Sequence, residues 1–363
     1  MINVIDYIFL EKLCIRLEFD RKTQNAGRMW GVPNIKDVAR LAGVSVATVS
    51  RVINHDAKVS DASREKVLLA IREIGYKPNL LGRNLRLSQT MKILVLVPTL
   101  SNLFYSRMVK GIESRARAQG YSIMICIAAD AASENRYFEM LYTHQVDGII
   151  LCSSEQTADK LRQIAQTQPL IMCGEYVEDA NLSAVTIDNR RAAYDAVRQL
   201  IRMGHRDIAL LGNDRYLSAR LREEGYRQAL EEEHIPVRQE WIQYDNYSFA
   251  SGQRMCQALL DQNRRPTAIF AIADSIAIGA IRALSQRGIL PGRDISVFGF
   301  DDTAISAAFV PSISTVSQPR FEIGAKAFDL LYEKMEDLTT PARLVLLEHK
   351  LVLRESTCAV SAP

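Results

Sequence analysis

Seven residues between positions 45 and 54 have side chains suited to contacts with DNA. They are Ser45, Val46, Ala47, Thr48, Ser50, Arg51 and Asn54. An arginine can form two hydrogen bonds with guanine, and small apolar side chains such as those of Val46 and Ala47 can contact the methyl group of thymine. Short polar side chains suit phosphate oxygens, which position a protein on DNA without reading its sequence. The set therefore predicts an element that reads base edges.

Two short helices joined through a glycine would present these side chains. Asn34 can cap the first helix, because its side-chain oxygen can accept a hydrogen bond from a free backbone N–H. Gly43 follows at a corner where a left-handed backbone favours glycine. Ser45 can cap the second helix, and a third helix is predicted over residues 60–74. Two helices joined by a tight turn are the arrangement with which helix-turn-helix proteins place one helix in the major groove.

Positive charge is concentrated in the same part of the chain. Residues 34–91 contain ten Lys and Arg against five Asp and Glu, a net charge of +5, whereas the whole chain carries +3. Residues 1–33 carry +1, so that residues 92–363 carry −3. A glycine turn between two helices also occurs in helical proteins that bind no DNA. The cationic head followed by an acidic body favours the DNA-binding interpretation, because phosphate binding requires positive charge.

Residues 78–90 form a linker with a second set of candidate DNA contacts, Arg83, Leu85 and Arg86. A helix over this segment would be weakened by Gly82, at a cost of about 1 kcal/mol. An apolar side chain flanked by arginines is suited to insertion into the minor groove. The residues alone leave two interpretations open: a flexible linker, and a hinge helix that folds only against a surface.

From residue 91 the pattern changes to short apolar runs that alternate with helical segments. The apolar runs predict buried parallel strands. They cover residues 92–98, 123–128, 148–152, 170–173, 208–212, 268–273 and 295–300, and a shorter strand is predicted over residues 185–187. This alternation predicts a doubly wound α/β sheet with helices on both faces. Since about 270 residues is long for one such sheet, two lobes with a ligand cleft between them are expected.

Polar and aromatic residues follow several of these strands, where doubly wound sheets bind ligands. The candidate ligand-binding residues are Asn102, Phe104, Tyr105, Ser153, Asp188, Arg222, Asp274 and Asp301. Aromatic faces can stack on a sugar ring while charged groups pair with its hydroxyls, so a small polar ligand is expected. Strand-end aspartates also cap helices, and for Asp274 a cap and a ligand contact are equally good interpretations. Arg222 could also be an ordinary surface arginine.

Three segments together resemble the lactose-repressor (LacI/GalR) family of transcription regulators. They read DVARLAGVSVATVSRVIN from residue 37, VSDASREKV from residue 59 and GYKPN from residue 75. The resemblance implies an all-α helix-turn-helix head and a two-lobed, doubly wound, periplasmic-binding-protein-like body. It implies that Val46, Ala47 and Arg51 read bases, and that Leu85 from each of two subunits inserts at the centre of the operator.

The same resemblance implies a ligand site and a division into lobes. The residues that would line the site are Phe104, Tyr105, Arg222, Tyr247 and Asp301, with Asp188 close by. The implied organisation is a head over residues 34–77, a hinge over 78–90, a first lobe of 91–189 with 319–340, and a second lobe of 190–318 with 341–357. The chain would therefore cross between lobes near Asp188, Gln318 and Pro341. Residues 82–84 and 318–324 are most similar to nucleoside-responsive members of the family.

Composition narrows the class of protein. Hydrophobic residues make up 48% of the chain and charged residues 24%, as in an ordinary globular protein. No apolar run approaches the roughly 18 residues that span a bilayer. Six cysteines are scattered without pairs, which indicates reduced thiols in a cytoplasm, and the five histidines show no metal-ligand spacing. We therefore expect no cofactor, no metal and no membrane association.

The two ends of the chain carry separate expectations. Residues 1–33 precede the point where the family begins, and Met29 lies five residues before Asn34. The hypothesis is that translation starts at Met29, or that the extension is a poorly ordered arm. The segment after Thr357 lacks the leucine heptads that tetramerise some relatives, so a homodimer on a pseudo-palindromic operator is expected.

Three functions compete at this stage. The first is a DNA-binding regulator, most simply a repressor, whose operator affinity is controlled by a small sugar or nucleoside; induction and co-repression both remain open. The second is an enzyme, since a pair of carboxylates such as Asp188 and Asp301 could hydrolyse glycosides. No nucleophile motif or phosphate-binding loop supports it. The third is a ligand-binding module without DNA binding, against which the cationic head argues.

Overall fold

The computed structural model describes residues 33–53, 56, 58–77 and 89–360. It divides into two compact units, Met1–Arg83 and Asn84–Pro363. The first unit contains the head, and the second contains the body.

The described part of the head is a three-helix domain of α1 (Ile35–Ala42), α2 (Val46–Ile53) and α3 (Asp61–Ile74). Asn34 caps α1 by accepting a hydrogen bond from the backbone N–H of Lys36 at 2.9 Å. Gly43 ends α1 with a φ of 66°, the left-handed conformation expected at the corner. Each helix contributes one fully buried valine to the small core, and these are Val38, Val49 and Val67.

The body contains two six-stranded sheets built from twelve described strands. The strands are β1 (Lys92–Val97), β2 (Ser122–Ile127), β3 (Gly148–Leu151), β4 (Leu170–Cys173), β5 (Ala184–Ile187), β6 (Ile208–Gly212), β7 (Ile242–Tyr244), β8 (Ala268–Ala271), β9 (Ser296–Asp301), β10 (Ser314–Ser317), β11 (Leu344–Leu347) and β12 (Lys350–Val352). The first sheet has the order β11-β5-β4-β3-β1-β2, and the second has the order β12-β10-β9-β8-β6-β7. All neighbours are parallel except β10 and β12. Two sheets confirm the predicted two-lobed α/β body.

Helices lie between the strands, as the alternating pattern predicted. They are α4 (Leu103–Ala118), α5 (Ala131–Tyr142), α6 (Ala158–Ala165), α7 (Asn189–Arg202), α8 (Leu217–Glu232), α9 (Phe249–Leu260), α10 (Asp274–Gln286), α11 (Ala304–Ala308) and α12 (Arg320–Glu336), with one 3-10 turn at Gln239–Trp241. Helix α12 packs against α4 through two glycines. A Cβ on Gly111 would lie 2.0 Å from the carbonyl oxygen of Phe321, and one on Gly324 would lie 2.0 Å from that of Met108. This close contact fixes α12 in the first lobe.

The chain crosses between the lobes three times. It leaves the first sheet after β5 and enters α7 of the second lobe, and it returns after β10 through α12. The third crossing differs from the expected position near Pro341. Strand β11 still pairs in parallel with β5 in the first sheet, whereas β12 pairs with β10 in the second. The crossing therefore lies between Leu347 and Lys350, and residues 344–347 belong to the first lobe.

Candidate functional site

The outer face of α2 presents the side chains that sequence analysis selected for base reading. Val46 is 41% exposed, and Ala47 and Arg51 are exposed as well. The Ser45 hydroxyl accepts a hydrogen bond from the backbone N–H of Thr48 at 3.1 Å and lies 2.9 Å from the Thr48 hydroxyl. Ser45 therefore caps α2 and fixes its start, while Ser50 is half-buried on the same helix. An exposed arginine beside small apolar side chains suits a major groove.

Four further candidate DNA contacts lie outside the described residues. They are Asn54, Arg83, Leu85 and Arg86. Their predicted roles in phosphate binding and in a minor-groove wedge remain predictions.

A cavity of about 430 Å³ lies between the carboxyl ends of the two sheets in the body. Its polar and aromatic lining residues include Asn102, Phe104, Tyr105, Ser153, Glu175, Tyr216, Ser218, Arg222, Tyr247, Ser275 and Asp301. Seven of the nine residues selected as ligand contacts are among them. The cavity forms here because parallel strands end together, so that the loops after β1, β3 and β4 face those after β6, β7 and β9.

Arg222 and Asp301 form a buried ion pair on the second-lobe side of the cavity. Each is 4% exposed, and Nη1 of Arg222 lies 3.9 Å from Oδ1 of Asp301. The guanidinium stacks on Phe300, with 3.7 Å between its carbon and the ring centroid. It also donates to Oδ1 of Asn189 at 2.9 Å and to the carbonyl oxygen of Ile272 at 2.6 Å. Arg222 is therefore held by buried acceptors and is no surface arginine.

Burial raises the pKa of Asp301 to about 7, and the neighbouring Arg222 opposes this rise. Near neutral pH the carboxyl thus exists in both forms, and it can accept a hydrogen bond from a ligand hydroxyl or donate one to it. Gln318 orients it by donating from Nε2 at 2.8 Å. The backbone of Asp301 has a φ of 113°, a strained value for a non-glycine residue. Strain of this kind concentrates at binding sites.

Two contacts join the lobes across the cavity. In one, the Ser218 hydroxyl and backbone N–H donate to the carboxylate of Glu175 at 2.6 and 3.1 Å. In the other, Arg215 pairs with Glu155 at 2.9 Å. Burial raises the pKa of Glu175, and the hydrogen bonds from Ser218 lower it. Both contacts connect a loop of the first lobe with the start of α8, so a change in the angle between the lobes must alter or break them.

Aromatic side chains line the cavity from both lobes. Phe104 and Tyr105 pack edge to face, with ring centroids 5.3 Å apart. Tyr216 and Tyr247 face each other at 6.0 Å. Burial raises the pKa values of Tyr105 and Tyr247, so both phenols are neutral hydrogen-bond donors at pH 7. The Ser275 hydroxyl is buried on this wall and has no hydrogen-bond partner among the described residues. A ligand oxygen could satisfy it.

Two of the selected carboxylates do not line the cavity. Asp188 is exposed and caps α7 by accepting a hydrogen bond from the backbone N–H of Arg191 at 2.8 Å. Asp274 is fully buried and accepts from the Thr303 backbone N–H and hydroxyl at 2.7 and 2.9 Å, and from the Thr315 hydroxyl at 2.7 Å. Asp274 is the first residue of α10 and not its cap, which is Ala273. It positions the loop that carries Asp301. These two expectations are therefore corrected.

Sequence analysis missed Glu175, Ser218, Ser275 and Tyr216. Glu175 follows β4 with one glycine between them, so the strand-end rule that selected Ser153 would also have found it. Ser218 lies within the first turn of α8, six residues after the end of β6, and nothing in the sequence marks it as a ligand contact. The described residues contain no cluster that could hold a metal ion, and no helix among them is long and apolar enough to cross a membrane.

Comparisons with known proteins now decide the family. Residues 90–355 match the family described as periplasmic binding proteins and sugar binding domain of the LacI family, and residues 34–79 match the bacterial regulatory proteins of the lacI family. The chain belongs to the LacI family. Among its relatives, catabolite control protein A of Priestia megaterium is 35% identical over 89% of this chain and 98% of its own length. The transcriptional repressor CytR of Escherichia coli is 35% identical over 90% of this chain and 96% of its own length.

The fold of this LacI-family chain matches solved structures over most of its length. A crystal structure of the lac repressor dimer bound to operator and the anti-inducer ONPF superposes with a TM-score of 0.83, at 28% identity, over 91% of this chain and 100% of that one. The chain is therefore a DNA-binding transcription regulator with an effector-binding domain, as the sequence predicted, and the enzyme hypothesis is wrong. The match over residues 34–79 covers all three segments that carried the resemblance.

Proposed function

We propose that this regulator is a repressor whose operator affinity is controlled by a nucleoside or a sugar bound in the cavity between its lobes. The observation that carries the proposal is the convergence of aromatic faces and buried ionisable groups on one cavity of about 430 Å³. This volume lies in the range of small-molecule sites, roughly 300–1,000 Å³.

The chemistry of the lining matches a polyhydroxylated ring. Phe104, Tyr105 and Tyr247 offer flat apolar surfaces, while Asp301 and Arg222 offer an acceptor and donors for hydroxyl groups. Because the Asp301 pKa is raised to about 7, its carboxyl can act as donor or acceptor without a charged ligand. A nucleoside is the first choice, since residues 82–84 and 318–324 resemble nucleoside-responsive members of the family. A pentose or hexose is the second.

Control of DNA binding follows from the position of the cavity between lobes. A ligand that contacts both lobes changes the relative stability of their arrangements, and such coupling typically amounts to about 1–3 kcal/mol. We infer that the change reaches DNA through residues 78–90, where Leu85 would act as the minor-groove wedge. The chain would act as a homodimer on a pseudo-palindromic operator. Either sign, induction or co-repression, is compatible with this arrangement.

A ligand screen tests the proposal. Nucleosides, pentoses and hexoses are added to the full chain, and thermal unfolding is measured. A ligand at 100 times its Kd should stabilise the body by about 2.7 kcal/mol. Arg222→Ala should abolish the shift while operator binding persists, and Asp301→Asn, which keeps the side-chain shape, should weaken it. Arg220→Ala serves as the control, because Arg220 is exposed on the same helix. No shift with any nucleoside or sugar, or equal shifts in Arg222→Ala, would contradict the proposal.

A further inference from the structure

A second, open pocket of about 310 Å³ lies on the second lobe and shares no lining residue with the cavity between the lobes. One wall is formed by α7, through Arg191, Arg198 and Arg202. The other is formed by His349 and Lys350, at the start of β12. Four permanent cations thus face one pocket, against a single lining carboxylate, Asp195. The pocket is strongly cationic although residues 92–363 carry a net charge of −3.

Two of these four cations already form ion pairs within the protein. Arg191 pairs with Asp195 at 3.1 Å. Arg198 lies 3.5 Å from both Glu232 and Glu233. The remaining two cations, Arg202 and Lys350, are exposed and have no acceptor for their side chains among the described residues.

A third donor is also unused. Nε of Arg198 is buried and has no hydrogen-bond partner in the described part of the chain. A buried donor without an acceptor costs free energy, so an acceptor from outside the protein would stabilise the pocket. The pocket therefore combines two unpaired cations with an unsatisfied buried N–H, which is the donor set that a phosphate group requires.

The pocket lies where the chain passes between the lobes. Helix α7 begins two residues after β5, at the first crossing. His349 and Lys350 belong to the third crossing, between β11 and β12. Nε2 of His349 lies 3.1 Å from a carboxylate oxygen of Asp195, so the middle of α7 and the third crossing are in contact. A ligand that contacts Arg202 and Lys350 would connect the last residue of α7 with the third crossing.

We propose that this pocket is a second ligand site of the protein, which binds a small phosphate-bearing molecule between α7 and the third crossing. The pocket volume of about 310 Å³ is large enough for a small phosphate-bearing molecule. The cationic head also attracts phosphate, so the experiment must separate the two places.

Inorganic pyrophosphate is the probe, titrated into the full chain by isothermal calorimetry. The test variant is the double substitution Arg202→Gln with Lys350→Gln, and the control is Arg136→Gln with Lys160→Gln, which removes two exposed cations from the first lobe. Neither pair lines the cavity of the effector site. Removing two charge-assisted contacts should weaken pyrophosphate binding by about tenfold or more in the test variant, whereas the control binds as the parent does.

Hydrogen exchange locates the bound pyrophosphate independently of calorimetry. Pyrophosphate should slow amide exchange at residues 348–351 and at the end of α7, near Arg202, in the parent chain, and should have no such effect in the test variant. Equal pyrophosphate affinity in the parent and the test variant, or protection confined to the head, would overturn the proposal. Absence of any measurable pyrophosphate binding to the parent would overturn it as well.

Discussion

The ion pair of Arg222 and Asp301 allows us to predict how the stability of the body changes when one partner is removed. Replacing Arg222 with Met keeps most of the side-chain volume but leaves the Asn189 amide oxygen and the Ile272 carbonyl without their donor, and the Asp301 carboxyl without its ion-pair partner. Removing one partner of a buried ion pair typically costs about 3–5 kcal/mol. Coulomb's law gives a similar value, because two unit charges 4 Å apart attract each other by about 4 kcal/mol at an effective dielectric constant of 20.

The cost must depend on pH, and its sign follows from the pKa of Asp301. Because that pKa is raised to about 7 from 3.8, the folded protein keeps a proton that the unfolded chain releases. This group therefore contributes stability that is lost as the pH rises from about 4 to about 7. Arg222 lowers the pKa, so its removal raises the pKa further and extends the loss above pH 7. The gap in the free energy of unfolding between parent and Arg222→Met should thus be wider at high pH than at pH 6.

Guanidinium unfolding at pH 6 and at pH 8.5 measures the difference in the free energy of unfolding between parent and Arg222→Met. Tryptophan fluorescence reports the unfolding, and the buried Trp241 contributes to it. The gap should widen by at least about 1.4 kcal/mol, which corresponds to one pKa unit. Asp301→Asn in the Arg222→Met background should remove the widening, and Arg220→Met is the matched control. A gap that is the same at both pH values, or a widening that persists with Asn at 301, would refute the pairing argument.

Three further predictions concern the head, the linker and the contact between lobes. Arg51→Ala should cost about 1–3 kcal/mol of operator affinity and relax preference at one base pair, as measured by fluorescence anisotropy on operator variants; equal losses on all sequences would make it a phosphate contact. Leu85→Ala should lower operator affinity while the thermal unfolding of the body stays unchanged, and an unchanged affinity would remove the wedge. Ser218→Ala should raise the pKa of Glu175 and destabilise the body by about 1–3 kcal/mol at pH 8, measured by thermal unfolding. A Ser218→Ala protein as stable as the parent would show that this contact is dispensable.

The sequence predicted the body well where strands are buried on both faces. Residues 93–97 and 268–271 are continuous apolar runs, because helices cover both sides of the sheet. Four strands were missed for physical reasons. Strand β10 reads STVS, whose small hydroxyls bond internally, and β7 and β12 are three-residue edge strands. Strand β11 is half exposed at a sheet edge. Edge strands carry little of the hydrophobic signal that identifies central ones.

The site was predictable in kind but not in every residue. Arg222 and Asp301 came from the family resemblance and from strand ends, and the structure brings them to 3.9 Å. Asp188 and Asp274 obey the same strand-end rule, yet one caps a helix and the other binds two threonines. A carboxylate at a strand end serves a ligand or the backbone depending on where its side chain points, which the sequence pattern does not contain. The third crossing was misplaced because the signal for β11 is weak.

Reciprocal coupling tests the central claim, that a ligand between the lobes controls DNA binding. Calorimetry would measure the affinity of the nucleoside or sugar found in the screen, first for the free protein and then for the protein saturated with an inverted-repeat operator. If the ligand changes operator affinity by a factor of roughly 5–150, the operator must change ligand affinity by that same factor. Identical ligand affinities with and without operator would contradict the claim.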